Sequence, residues 1–98
     1  MEERIYYVYI LTNLHKTTLY TGITNNLVRH VEEHKEGTGS VFSRKYHLDR
    51  LVYYEIYRDG RAAIAREKQI KGGSRSRKVD LINSSNTEWR DLGLVWDQ

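Results

Sequence analysis

Seven consecutive residues, Ile5 to Leu11 (IYYVYIL), are apolar or aromatic at every position. A strand with one wet face would alternate; an unbroken run of this length reads as a strand covered on both faces. Asn13 to Thr17 supplies turn residues. Leu19 to Ile23 reads as the returning strand, so Ile5–Ile23 forms an antiparallel hairpin. Leu51 to Tyr57 is the third strand. Thr24 or Asn25 is positioned to cap a helix over roughly Asn26 to Glu36, which Gly37 stops. Gly37 to His47 (GTGSVFSRKYH), rich in small and basic residues, reads as a loop. Asp59-Gly60 opens a helix over Arg61 to Lys71 that Gly72-Gly73 ends, and another runs over about Ser76 to Ile82. The expected fold is α+β, a three-stranded antiparallel sheet flanked by helices.

Ninety-eight residues build one core, so residues 1–98 are read as a single domain. No apolar run approaches the roughly 18 residues needed to cross a bilayer. The start, MEERIYY, has neither the basic stretch nor the cleavage site of a signal peptide, so a cytoplasmic protein is expected, with no membrane partner. Without cysteine, any metal must be held by oxygen or imidazole. A net charge of +3 and a pI near 9.2 suit an anionic partner without requiring one. The C-terminal segment, with Trp89, Leu92, Leu94, Val95 and Trp96, is too apolar to hang free. It either docks on the body or presents an apolar surface to another protein.

Two helices break their own pattern. Successive residues turn about 100° around a helix axis. In the helix 61–71, Ala63, Ile64 and Ile70 define the buried arc, and Glu67 falls in its middle. A carboxylate there costs several kcal/mol unless a cation meets it. Two cations qualify: a Lys or Arg side chain, or a metal ion of the magnesium type, which takes one or two carboxylates and leaves other positions to water and phosphate. In the helix 26–36, Leu27 and Val31 mark the core side. His30 and His34 sit beside them, and Arg29 points roughly the opposite way. The His pair has zinc-like i, i+4 spacing, but Val31 stands where an H-E-x-x-H motif has glutamate. Partly buried histidines that bond a neighbour or a phosphate fit the pattern better.

Tyr7-Val8-Tyr9 on the first strand and Tyr20-Thr21-Gly22 on the second, with ten residues between Tyr9 and Tyr20, are followed by GITNNL. Further on come a helix ending in His34, the YYE of the third strand, and AIAREKQIKGGSRSRKVDLI. In order and spacing this set, from about residue 6 to 82, resembles the GIY-YIG endonuclease domain, in particular its small stand-alone bacterial members. Residues 83–98 would be a docked extension. The resemblance implies hydrolysis of a DNA phosphodiester bond with one divalent ion, Mg²⁺ or Mn²⁺, in repair or recombination. By position, Tyr20 would be the general base or water-orienting hydroxyl, Tyr9 its neighbour at the scissile phosphate, and Glu67 the metal ligand. His30 and His34 would complete the catalytic set. Gly22 would let backbone or substrate pass closely. The family's phosphate-binding arginine falls three residues after the leucine of the first helix; counting from Leu27 gives His30. Histidine is shorter than arginine and lacks its bidentate fork. A DNA-binding domain with weak or lost cleavage is therefore the alternative.

Arg29, Arg44, Lys45, Lys71, Arg75, Arg77 and Lys78 are the side chains expected to track phosphates, and no base-reading helix stands out. The expected partner is branched, nicked or single-stranded DNA, met by a monomer, with a targeting protein as one way of directing so small a nuclease.

Overall fold

A computed structural model describes residues 4–37 and 41–93, with backbone alone for 41–43. Three strands, β1 (Tyr6–Thr12), β2 (Leu19–Thr24) and β3 (Arg50–Tyr57), form an antiparallel sheet in the order β2-β1-β3. The unbroken apolar run is the central strand. Two neighbours satisfy its backbone, and both of its faces are buried: Val8, Tyr9, Ile10 and Leu11 are all 1% exposed or less. The hairpin turn is built by Asn13, whose Oδ1 accepts from the amides of Thr17 (2.9 Å) and Thr18 (3.2 Å).

The helices are α1 (Leu27–Lys35), α2 (Val41–Tyr46), α3 (Gly60–Lys71) and α4 (Arg75–Ser85). Their caps follow local chemistry. Asp59 Oδ1 accepts from Arg61 N (3.1 Å) at α3, and Ser74 Oγ accepts from Arg77 N (3.2 Å) at α4. At α1 the cap is Asn26, whose Oδ1 accepts from Arg29 N at 3.2 Å, one residue beyond the expected Thr24 or Asn25. Thr24 acts a step earlier, its Oγ1 accepting from Asn26 N at 3.2 Å. Gly37 ends the α1 segment with φ +75°, as its residue type suggests.

Two expectations need correction. The segment 37–47 is not all loop, because Val41–Tyr46 forms α2. Small residues precede it, but VFSRKY contains no Gly, Pro, Asn or Asp to break a helix, and Arg44 and Lys45 suit its C-terminal end. His47 then leaves the helix at φ 53°. On α3, Ala63 and Ile70 are buried but Ile64 is 48% exposed. The packed stripe is narrower than the sequence pattern suggested, a single line through 63, 67 and 70.

Alternation along β1 divides the core. Val8 and Ile10 pack with Val52, Ala63, Ile70 and Ile82, under α3 and α4. Tyr9 and Leu11 pack with Leu27, Val31, Leu48 and Leu51, under α1. A β-bulge opposite Ile10/Leu11 leaves Val52 as the extra residue of β3. The segment after α4 docks on this frame. Asn86 Nδ2 donates to Val52 O (3.0 Å) and Arg90 O (2.9 Å). Asp91 pairs with Lys35 of α1 and accepts from Leu51 N at 3.2 Å. Trp89 packs on the first cluster and Leu92 on the second. Leu94, Val95 and Trp96 lie outside the described residues. Among the described residues no helix is long and apolar enough to cross a membrane.

Candidate active site

Tyr9 sits mid-strand with Gly22 directly across on β2 and Tyr54 across on β3. Gly22 is what lets its ring lie over β2. A Cβ there would stand 2.5 Å from Tyr9 Cζ, overlap Oη, and come within 3.1 Å of Tyr20 Cε1. The close approach expected at Gly22 is thus made by Tyr9. Tyr20, opposite Leu11, shares this face, and its ring centroid is 6.4 Å from that of Tyr9.

Helix α1 supplies the other half. Residues one helical turn apart stand above one another, and His30 and His34 do so with ring centroids 5.1 Å apart. His30 faces Tyr9 at 5.4 Å, and His34 faces Tyr20 at 6.2 Å. The four rings make a closed circuit, Tyr9–Tyr20–His34–His30, drawn from two strands and a helix.

Glu67 approaches by a less obvious route. Helix α3 packs on the opposite face of the sheet, where Ala63 and Ile70 join Val8 and Ile10. It leans chiefly on β2, the edge strand. Tyr9 carries its hydroxyl over Gly22 toward that edge, and there the charge of Glu67 reaches it. Burial, then the neighbouring Tyr20, then Glu67 push the Tyr9 phenol well above its ordinary range. Tyr9 therefore keeps its proton at neutral pH and is a hydrogen-bond donor, not a base.

Two oxygens along this seam lack partners. Glu67 Oε1 is buried with no hydrogen bond among the described residues, and so is Oγ1 of Thr21, which by register faces α3. Among the described residues no ion pair to Glu67 is formed. An orphaned carboxylate oxygen whose charge acts on the Tyr9 phenol fits a hard divalent cation held by one carboxylate with water and phosphate in the remaining positions. Among the described residues no three His, Asp or Glu converge on one point, so a zinc-type cage is not formed. On His34, burial and the adjacent His30 hold the imidazole below its usual range, against the opposite pull of Glu33.

The basic residues separate. Arg29 points away from the ring circuit, 76% exposed and paired to Glu33 at 3.0 Å. Arg75 donates to Lys16 O (2.8 Å) and Thr17 O (3.2 Å), tying α4 to the hairpin turn. Lys78 donates to Gly73 O (2.6 Å) and Lys71 O (3.3 Å), closing the end of α3. These two hold the fold together. Arg44, Lys45, Lys71 and Arg77 are exposed. Sequence reasoning missed Thr21, Asn86 and the acceptor role of Glu55. Glu55 takes hydrogen bonds from Tyr53, Tyr57 (2.7 Å) and both Nε (2.9 Å) and Nη2 (3.0 Å) of Arg66. Only the YYE pattern with a downstream arginine hinted at it.

Residues 5–80 match the GIY-YIG catalytic domain. A UPF0213 protein of Clostridium perfringens is 40% identical over 80 residues, covering 82% of this chain and 85% of the relative. One from Natronomonas pharaonis is 40% identical over 77 residues, covering 79% and 89%. The solution NMR structure of a UPF0213 protein from Bacillus halodurans superposes with a TM-score of 0.57 at 28% identity, covering 89% of this chain and 92% of the other.

Proposed function

The chain belongs to the GIY-YIG family, a nuclease family, and on that premise we propose that it is a metal-dependent endonuclease that hydrolyses DNA phosphodiester bonds. Its substrates are branched, nicked or single-stranded DNA met in repair or recombination. One observation carries the reading: Tyr9, Tyr20, His30 and His34 form a single circuit of rings, and the charge of Glu67 is felt at the Tyr9 hydroxyl.

In this reading the scissile phosphate lies against Tyr9 and His30, each donating a hydrogen bond to a non-bridging oxygen. Tyr20 orients the attacking water through its hydroxyl; as the P–O ester bond breaks, the water's proton passes to solvent and the leaving oxygen takes one up from solvent. His34, kept neutral, backs both His30 and Tyr20. Glu67 would hold Mg²⁺ or Mn²⁺ through its unpartnered oxygen. When bound, such an ion neutralises phosphate charge and stabilises the leaving oxygen.

The test is incubation with branched, nicked and single-stranded DNA in Mg²⁺ or Mn²⁺. Cleavage should be lost in Glu67→Ala and fall about 10²-fold or more in Tyr20→Phe. Cleavage unchanged in both variants would refute the assignment. A second reading, a DNA-binding domain without cleavage, is favoured by the outward turn of Arg29 and its pairing with Glu33, which leave His30 as the nearer phosphate donor. Salt-sensitive binding without cleavage would select it. His30→Arg should raise the rate if the missing guanidinium limits the reaction.

A further inference from the structure

Beside the ring circuit, on the same face of the sheet, lies a groove of about 240 Å³. Tyr7, Tyr54, Val28 and Ile56 wall it, and Asn25 and Asn26 close one end. None of its lining side chains carries a charge. Three are unusually open for their type: Tyr54 is 39%, Val28 40% and Ile56 59% exposed. The Tyr7 and Tyr54 rings meet edge to face at 6.3 Å, which fixes the orientation of the tyrosine wall. Tyr54 is the register partner of Tyr9, so this wall begins one strand away from the circuit. Asn25 and Asn26 also line a second cleft, a polar one, with Thr24, Arg29, His30 and Glu33. The two hollows therefore adjoin at the start of α1, one uncharged and aromatic, the other carrying the His30 imidazole and the Arg29–Glu33 pair.

We infer that the groove between Tyr54 and α1 is a stacking site for one unpaired base of the DNA strand whose phosphate occupies the neighbouring polar cleft. This rests on the proposed nuclease reading and names the feature of the substrate that the site selects. An uncharged aromatic wall cannot hold a phosphate, but it offers a π-face to any base. Asn25 closes the end of the groove where a base edge would lie, beside Asn26, whose Oδ1 is taken by the cap of α1. A base inside a duplex is stacked on both sides and could not enter; an unpaired one could.

The experiment is binding without cleavage, in chelator, by fluorescence anisotropy with a labelled single strand and a blunt duplex of the same sequence. Tyr54→Ala should weaken binding of the single strand roughly 5- to 100-fold and leave the duplex unchanged. Tyr54→Phe keeps the ring and should remain within about twofold of the parent. A 2-aminopurine in the single strand should be quenched by the parent and by Tyr54→Phe but not by Tyr54→Ala. Equal loss on both DNAs, no loss on either, or an unquenched probe with the parent protein overturns the inference. The cleavage assay with Glu67→Ala reports on the reaction separately: intact cleavage with Tyr54-independent binding sinks this proposal alone. Tyr54-dependent binding without cleavage sinks only the enzymatic reading.

Discussion

Gly22→Ala tests the packing on which the site is built. The new Cβ would stand 2.5 Å from Tyr9 Cζ, roughly 1 Å inside the ~3.5–4.0 Å at which carbons pack. Tyr20 Cε1, at 3.1 Å, narrows the escape on the other side. Tyr9 is only 1% exposed and is held among Leu27, Val31 and Leu48, so the ring cannot swing out to solvent. Overpacking of this kind costs about 1–3 kcal/mol. In a domain of this size each kcal/mol lowers Tm by roughly 4–8 °C. The displaced hydroxyl would also leave its position at the phosphate, and a shift of about 1 Å can reduce rate ~10²-fold. Thermal unfolding by circular dichroism and single-turnover cleavage read the two effects. Adding Tyr9→Phe removes the overlapping oxygen and should return part of the lost Tm without returning activity. If Gly22→Ala alone leaves both Tm and rate untouched, the claim that Tyr9 occupies the space above Gly22 is refuted.

Replacing Glu67 with methionine should abolish metal-dependent cleavage while holding or raising Tm, because an unpartnered buried oxygen costs about 1–3 kcal/mol and an apolar side chain does not; a clear fall in Tm would contradict this. The Glu55 cluster should give the fold two pH edges. Burial pushes the Glu55 carboxyl up, but hydrogen bonds from Arg66, Tyr53 and Tyr57 outweigh it and hold it low, so its contribution is full above the unfolded glutamate value of about 4.3 and is lost as pH falls below that. Burial and the bond to Glu55 push the Tyr53 phenol up to about 12, so its contribution is full below the unfolded value near 10 and is lost as pH rises toward 12. Denaturant titrations across pH should show both edges reduced in Glu55→Gln, and unaltered edges would remove the cluster from the stability account. Asn86→Ala leaves the Val52 and Arg90 carbonyls without their amide donor and should cost about 1–3 kcal/mol by chemical denaturation; a loss below about 0.5 kcal/mol would mean that water replaces it.

What the sequence revealed is what local spacing controls. The run Ile5–Leu11 marked a doubly covered strand because burial on both faces removes alternation. Glu67 stood out because a helical repeat fixed its angle relative to Ala63 and Ile70 before any neighbour was known. The His30/His34 pair and the outward turn of Arg29 followed from the same geometry. What stayed hidden depends on partners far along the chain. Arg75 and Lys78 look like phosphate binders until the turn carbonyls of Lys16 and Thr17, and those ending α3, are seen to occupy them. That Glu67 sits on a helix of the far face and still acts electrostatically on Tyr9 depends on how α3 leans across the sheet. No residue pattern within α3 encodes that lean.

The extra residue at Val52 acts as a phase shifter for the rest of its strand. Upstream of it Leu51 points toward α1; downstream Tyr54 points the same way, three positions later, where a regular strand would have turned it to the other side. Deleting Val52 would restore plain alternation, with Tyr53 still opposite Ile10 and Tyr54 still opposite Tyr9. Glu55 would keep Arg66 and Tyr54 would stay on the α1 side; what goes is Val52 from the core under α3 and the carbonyl that Asn86 binds. A single-residue deletion at this point should therefore straighten the strand without turning any later side chain over, whereas an insertion further along β3 would turn half of it inside out.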